Sequence, residues 1–88
     1  HGGWVTTLMD SALGSAAHTL MPAGERAVTI EIKVNVTRPV VPGTPVAVTA
    51  EVQHRGRRTV VVEGKMRDDR DRLLALALGT FAVVPALA

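Results

Sequence analysis

The segment from Val28 to Thr37 constrains the fold most strongly, because its apolar and polar residues alternate without a break. Apolar residues occupy positions 28, 30, 32, 34 and 36, and polar residues lie between them. A period of two residues is typical of a strand with one face on a core and the other in water. We therefore predict a half-buried antiparallel strand that ends at Arg38-Pro39, because proline has no N–H to donate to a sheet.

Three further segments have the composition of strands, and short connections rich in turn residues separate them. The last segment is nearly all apolar, which predicts a central strand covered on both faces. The predicted strands are Val46–His54, Thr59–Arg67 and Leu73–Val84, and the connections contain Pro42-Gly43, Arg55-Gly56-Arg57-Arg58 and Asp68-Asp69-Arg70-Asp71.

A single helix precedes these strands. Between Trp4 and Leu20 the apolar residues recur close to a 3.6-residue period, and Pro22 and Gly24 then supply a stop signal. One helix followed by an antiparallel sheet is an α+β architecture. The length of 88 residues allows one domain, which we predict to span residues 1–88.

The start of the chain carries the clearest chemical signal. His1-Gly2-Gly3 opens the predicted helix, and the acid Asp10 follows on it. The first N–H groups of a helix point outward and can stabilise an oxyanion that forms on a carbonyl. A carboxylate further along could activate water or attack the carbonyl carbon.

Composition excludes several classes of site. The chain has no cysteine, which excludes a disulfide scaffold, a thiolate metal site and a cysteine nucleophile. Its three histidines lack metal-ligand spacing, so we expect no metal and no cofactor. One Trp, one Phe, no Tyr and a net charge of +2 argue against nucleic acid as a partner. No apolar run is long enough to span a membrane, so we expect a cytoplasmic protein.

These motifs, taken in order, resemble the hotdog-fold thioesterases, and specifically the PaaI-like branch of the 4-hydroxybenzoyl-CoA thioesterase superfamily. The likeness covers the whole chain. It runs from His1-Gly2-Gly3 and Asp10 through Arg38-Pro39 to the arginine-rich hairpin, Arg55-Gly56-Arg57-Arg58, and ends at Gly79-Thr80-Phe81. It implies a long antiparallel sheet wrapped around one central helix. Because family members carry two more strands ahead of the His-Gly-Gly motif, we expect the chain to be N-terminally incomplete.

The resemblance also assigns roles to individual residues. Gly2 would donate its N–H to the oxyanion, with Gly3 beside it, and His1 would orient the thioester carbonyl. Asp10 would be the nucleophile or the general base. The family often has Ser or Thr at the position of Thr29, where it helps to place the hydrolytic water.

The alternating pattern predicts that Thr29 faces away from the helix. Thr6, Thr7 and Ser11 flank the acid and could take over the placing of water.

The spacing of Gly2 and Asp10 predicts a composite site. Eight residues separate them, which is about 12 Å on a helix, whereas reacting groups lie about 3–3.5 Å apart. Two antiparallel copies could instead place Gly2 of one subunit near Asp10 of the other. We expect a homodimer with two such sites, and the family is often built as a dimer of dimers.

The expected reaction is hydrolysis of an acyl-CoA thioester, with an aryl, phenylacetyl-type or medium-chain acyl group. Arg55, Gly56, Arg57 and Arg58 would bind the phosphates of CoA, because arginine forks match phosphate geometry. Two alternatives stay open. The chain could be a non-catalytic acyl-CoA-binding module. It could also be a hotdog enoyl-CoA hydratase, although enzymes of that kind use an Asp and a His close together, and His18 lies eight residues beyond Asp10 on a different face of the helix.

Overall fold

The computed structural model describes residues 2–86, and it confirms the predicted α+β arrangement of one helix and four antiparallel strands. The helix begins two residues before the predicted start, at the glycine pair. The elements are α1 (Gly2–His18), β1 (Glu25–Val36), β2 (Val46–Arg55), β3 (Thr59–Asp68) and β4 (Leu73–Pro85).

The four strands form one sheet in the order β1-β4-β3-β2, and all neighbours are antiparallel. The prediction that β4 is central is therefore confirmed. The prediction that both of its faces are covered is wrong for the described chain, because α1 packs on one face only. Leu78, on the other face, is 48% exposed.

The core lies between α1 and the sheet. Val5, Met9, Leu13 and Ala17 recur every fourth residue and form the buried stripe of the helix. The sheet meets this stripe with alternate residues of its two central strands, because successive side chains of a strand point to opposite faces. These residues are Val60, Val62, Met66, Ala75, Ala77 and Phe81.

Two glycines in the sheet allow the helix to approach closely. A Cβ atom built on Gly64 would lie 2.6 Å from Leu13 Cδ2, and one on Gly79 would lie 3.0 Å from Leu13 Cδ1. Leu13 is fully buried. The absence of side chains at these two positions therefore makes the space that Leu13 fills.

A β-bulge interrupts β1. Thr29 pairs with Phe81 and Glu31 pairs with Thr80, so Ile30 is an extra residue without a partner on β4. A bulge of one residue exchanges the two faces of the strand beyond it. Thr29 consequently faces α1, and the sequence-based prediction that it faces away is wrong.

Candidate active site

The side chains of Asp10 and Thr29 meet between α1 and β1. Thr29 Oγ1 donates a hydrogen bond of 3.0 Å to Asp10 Oδ1. Asp10 lies near the middle of α1 and is half-buried, whereas its helix neighbour Met9 is fully buried. The bulge at Ile30 is what brings the threonine hydroxyl to the carboxylate. One oxygen of Asp10 is thereby fixed, and the carboxylate keeps access to solvent.

Gly2 lies at the other functional position, the first residue of α1. It is exposed, and apart from its chain neighbours and the backbone of its own helix, no heavy atom lies within 4 Å of a Cβ atom built on it. Its N–H belongs to the first turn, where N–H groups have no helical carbonyl to donate to and the helix dipole is positive. This end of α1 can therefore stabilise a negative charge. The third residue of the predicted motif, His1, lies outside the described residues.

Gly2 and Asp10 remain far apart within one chain. Both lie on the same continuous helix, so the rise per residue separates them by about 12 Å. Gly3 accepts a hydrogen bond at its carbonyl from Thr7 Oγ1, at 2.9 Å. One copy of the chain therefore holds two separate halves of the predicted site.

The other predicted hydroxyl residues lie on α1 itself, at Thr6, Thr7 and Ser11. Thr7 is engaged with Gly3 O. Ser11 is exposed, and its backbone carbonyl accepts a hydrogen bond from Ser15 Oγ. Among the predicted hydroxyl residues of the described chain, Thr29 is the one that bonds the carboxylate.

The arginine-rich hairpin lies at the C-terminal end of α1. Arg55 is within 4.0 Å of Glu25, which begins β1, and its Nη1 also donates to Gly56 O. The N–H of Val83, near the end of β4, donates to Arg58 O. Because β1 follows α1 directly, the hairpin and Gly2 lie at opposite ends of the helix.

The three arginines differ in their surroundings. Arg55 is held by Glu25 and by a backbone carbonyl. Within residues 2–86, Arg57 and Arg58 have no carboxylate at ion-pair distance, and both are exposed. They are therefore the better candidates for binding an anion from solution.

His18, the histidine that follows Asp10 on α1, is bonded at both ring nitrogens. Nδ1 lies 2.9 Å from Gly14 O, and Nε2 accepts the N–H of Ala27 at 3.3 Å. The Nδ1 bond is made within α1, and the Nε2 bond links the end of α1 to β1. Across the described range, no cluster of three acidic, His or Cys side chains suited to a metal ion is found.

The length and composition of a helix decide whether it could cross a membrane. In the part of the chain that the structure describes, no helix combines the length and the apolar character needed to cross a membrane.

Known proteins are similar to this chain over nearly its whole length. The chain is 39% identical over 83 residues to SSO1253 of Saccharolobus solfataricus, which its name assigns provisionally to the esterases; the match covers 94% of this chain and 54% of the relative. The chain thus spans about half the length of this relative.

Two solved structures have the same fold. BH2602 of Bacillus halodurans, solved with CoA, is 36% identical with a TM-score of 0.90, over 96% of this chain and 55% of that protein. The Haemophilus influenzae thioesterase HI1161 is 26% identical with a TM-score of 0.92, over 100% of this chain and 61% of that protein. The predicted hotdog fold is therefore confirmed.

A family model described as the thioesterase superfamily matches residues 1–75, which is most of the chain. The matched region includes α1, the β1 bulge at Ile30 and the arginine-rich hairpin. The chain belongs to the thioesterase superfamily.

Proposed function

We propose that the protein hydrolyses acyl-CoA thioesters in the cytoplasm, as a member of the PaaI-like branch, at active sites formed by two copies of the chain. The observation that carries this proposal is the hydrogen bond from Thr29 to Asp10, which orients a solvent-accessible carboxylate on the central helix. CoA enters the proposal because the related BH2602 was solved with it.

Strand β1 offers the surface for the second copy. It is an edge strand of 12 residues, and its exposed apolar side chains include Val28, Ile30 and Val36. The opposite edge, β2, exposes mainly polar residues such as Gln53 and His54. An open edge strand is a template for pairing. Pairing of β1 with its copy across a two-fold axis would set two α1 helices side by side and antiparallel.

This arrangement would complete the site. The N–H of Gly2 from one copy and the carboxylate of the partner's Asp10 would then approach one thioester carbonyl. The end of the partner's α1 would lie about 12 Å beyond Gly2, since His18 follows Asp10 by eight residues. The partner's arginine hairpin, which lies at that end, would meet the phosphates of CoA through Arg57 and Arg58.

The proposed reaction uses the carboxylate of Asp10, the N–H of Gly2 and water. Asp10 accepts a proton from water, and the water oxygen attacks the carbonyl carbon. The negative charge that forms on the carbonyl oxygen is stabilised by the N–H of Gly2. When the intermediate collapses, the C–S bond breaks and the thiolate of CoA takes the proton from Asp10. The products are a free acid and CoA.

Thiol release from a panel of acyl-CoAs tests the proposal. We expect turnover by the wild type, and a loss of at least about a hundredfold in kcat for Asp10→Asn. Asp69→Asn, which changes an exposed acid in the β3–β4 turn, is the matched control and should retain full activity. Unchanged turnover in Asp10→Asn would remove Asp10 from the mechanism. A folded wild type that binds acyl-CoA without turnover would favour the binding-module alternative.

A further inference from the structure

An apolar cavity lies beside the start of α1. It has a volume of about 500 Å³, and its wall contains no charged residue. Its lining residues are Trp4, Val40, Val41, Pro42, Gly43, Thr44 and Val46. Both the size and the apolar lining are typical of small-molecule pockets.

The wall opposite Trp4 is preformed by a tight turn. The N–H of Thr44 donates to Val41 O at 3.2 Å, and Gly43 has φ +86°. Proline at the second position, glycine with positive φ at the third, and this hydrogen bond are the features of a type II turn. Pro42 also limits the freedom of the unbound loop. The cavity wall therefore requires little ordering when a ligand binds.

Two apolar side chains at this cavity lack a covering in the described chain. Trp4 is 52% exposed, and Val41 is 62% exposed. Trp4 and Gly2 both belong to the first turn of α1. The cavity therefore lies at the same end of the helix as the N–H that would hold the substrate carbonyl.

We propose that this cavity binds the acyl group of the substrate, and that Trp4 determines the preference of the enzyme for large apolar acyl groups. The inference rests on the proposed function, since it places the acyl group beside the carbonyl held by Gly2. An acyl-CoA thioester consists of the charged CoA moiety and the acyl group. The uncharged lining of the cavity matches an apolar acyl group, because burying a charge there would be strongly unfavourable. Trp4 is a specificity residue here, with no part in bond breaking.

The test compares kcat/KM for acetyl-CoA, hexanoyl-CoA and phenylacetyl-CoA in wild type, Trp4→Ala and Trp4→Phe. Trp4→Ala should lose about tenfold or more with the two large substrates relative to acetyl-CoA. Trp4→Phe should retain most of the preference, because its ring still covers part of the cavity wall. Leu20→Ala, which changes another exposed apolar residue at the far end of α1, is the control and should keep the wild-type ratios.

A second variant keeps the inference testable if Trp4→Ala does not fold. Val41→Asp places a charge in the cavity wall at an exposed position, so the fold should tolerate it. We expect the same selective loss with hexanoyl-CoA and phenylacetyl-CoA. Equal effects on all three substrates, or none, in a folded Trp4 or Val41 variant would overturn the inference while leaving the hydrolase intact. An inactive wild type would overturn the proposed function and this inference together.

Fluorescence gives an independent measurement, because Trp4 is the single tryptophan of the sequence. The thioether S-hexyl-CoA should shift the emission to shorter wavelength in a saturable way, and CoA alone should not. An emission that stays constant while S-hexyl-CoA inhibits hydrolysis would show that the hexyl chain binds away from Trp4, and would overturn the inference.

Discussion

Asp10 depends on Thr29 for its orientation. The hydrogen bond of 3.0 Å from Thr29 Oγ1 fixes Asp10 Oδ1, so the second oxygen is left to accept a proton from water. A hydrogen bond to a charged group contributes about 1.5–3 kcal/mol. If this bond orients the catalytic carboxylate, its loss lowers the rate of the chemical step more than it weakens substrate binding.

Thr29→Val tests this role, because valine has nearly the same shape and lacks the hydroxyl. We expect kcat to fall about ten- to a hundredfold, with KM changed less than about threefold. Thr29→Ser keeps the hydroxyl and should restore most of the activity. The measurement is steady-state hydrolysis of the best acyl-CoA of the panel. A Thr29→Val variant with wild-type kcat would show that the bond is structural only.

The orientation of Thr29 could not be predicted from the alternating pattern. Thr29 and Glu31 are separated by Ile30, an ordinary strand residue, and nothing in the sequence marks it as the bulge. Gly2 and Asp10 could be proposed as site residues from the sequence, because a helix start and an acid on the same helix are local features. The contact between Thr29 and Asp10 spans 19 residues and depends on the packing of β1 against α1.

At the scale of elements, the packing of α1 on the sheet depends on Gly64. A Cβ atom at Gly64 would lie 2.6 Å from Leu13 Cδ2 and 3.4 Å from Met9 Cε. Leu13 and Met9 are fully buried, so neither can move aside freely. The closest approach between α1 and the sheet is made at glycines of the sheet, which a pattern of apolar residues does not reveal.

Gly64→Ala should therefore destabilise the protein by about 1–3 kcal/mol, as expected for overpacking of a core. Gly14→Ala is the matched control. Its Cβ would lie 3.7 Å from Phe81, an ordinary contact, and alanine is favoured over glycine inside a helix by about 1 kcal/mol. We expect Gly14→Ala to be neutral or stabilising. Urea denaturation of both variants measures the difference, and equal stabilities would contradict this view of the packing.

The β3–β4 turn is held by one buried acid. Asp68 Oδ1 accepts the backbone N–H groups of Arg70 and Arg72, both at 2.9 Å, and Oδ2 accepts Arg72 Nε at 2.8 Å. The backbone hydrogen bond from Arg72 contributes most to lowering the pKa of Asp68 below its usual value. The Arg72 side chain and the N–H of Arg70 act in the same direction, and desolvation opposes them.

A lowered pKa makes the contribution of Asp68 to stability depend on pH. The ionised carboxylate stabilises the fold at pH values above the ordinary carboxyl pKa, about 4, and this contribution is lost as the pH falls below that value. Asp68→Asn should therefore be less stable than wild type at pH 7, and the gap should narrow below about pH 4. Urea denaturation from pH 7 to pH 3 measures it, with Asp69→Asn as the exposed control. A gap that stays constant with pH would contradict the assignment.

At the scale of the whole molecule, the topology separates the functional groups of one chain. The order β1-β4-β3-β2 places the arginine hairpin at one end of α1, and the helix start with Gly2 lies at the other. Pattern and composition predicted each strand, because alternation and turn residues are local signals. Beyond the central position of β4, they did not predict the order of strands, which depends on contacts between distant segments. A second antiparallel copy would reunite the separated groups.

Complementation between two inactive variants tests this composite site most directly. Gly2→Pro removes the N–H, and proline is tolerated in the first turn of a helix. We expect kcat to fall about a hundred- to a thousandfold. Gly2→Ala keeps the N–H, has no heavy atom within 4 Å of its new Cβ, and should remain active. Asp10→Asn removes the carboxylate charge from the other half of the site.

Equal amounts of Gly2→Pro and Asp10→Asn are unfolded together, refolded and assayed. If each site takes Gly2 from one copy and Asp10 from the other, a mixed dimer has one intact site and one doubly altered site. Random pairing gives half mixed dimers, so the mixture should recover roughly a quarter of wild-type activity, while each variant refolded alone stays inactive. If the mixture stays inactive although mixed dimers form, each site is built within one chain and the account of a shared active site is wrong.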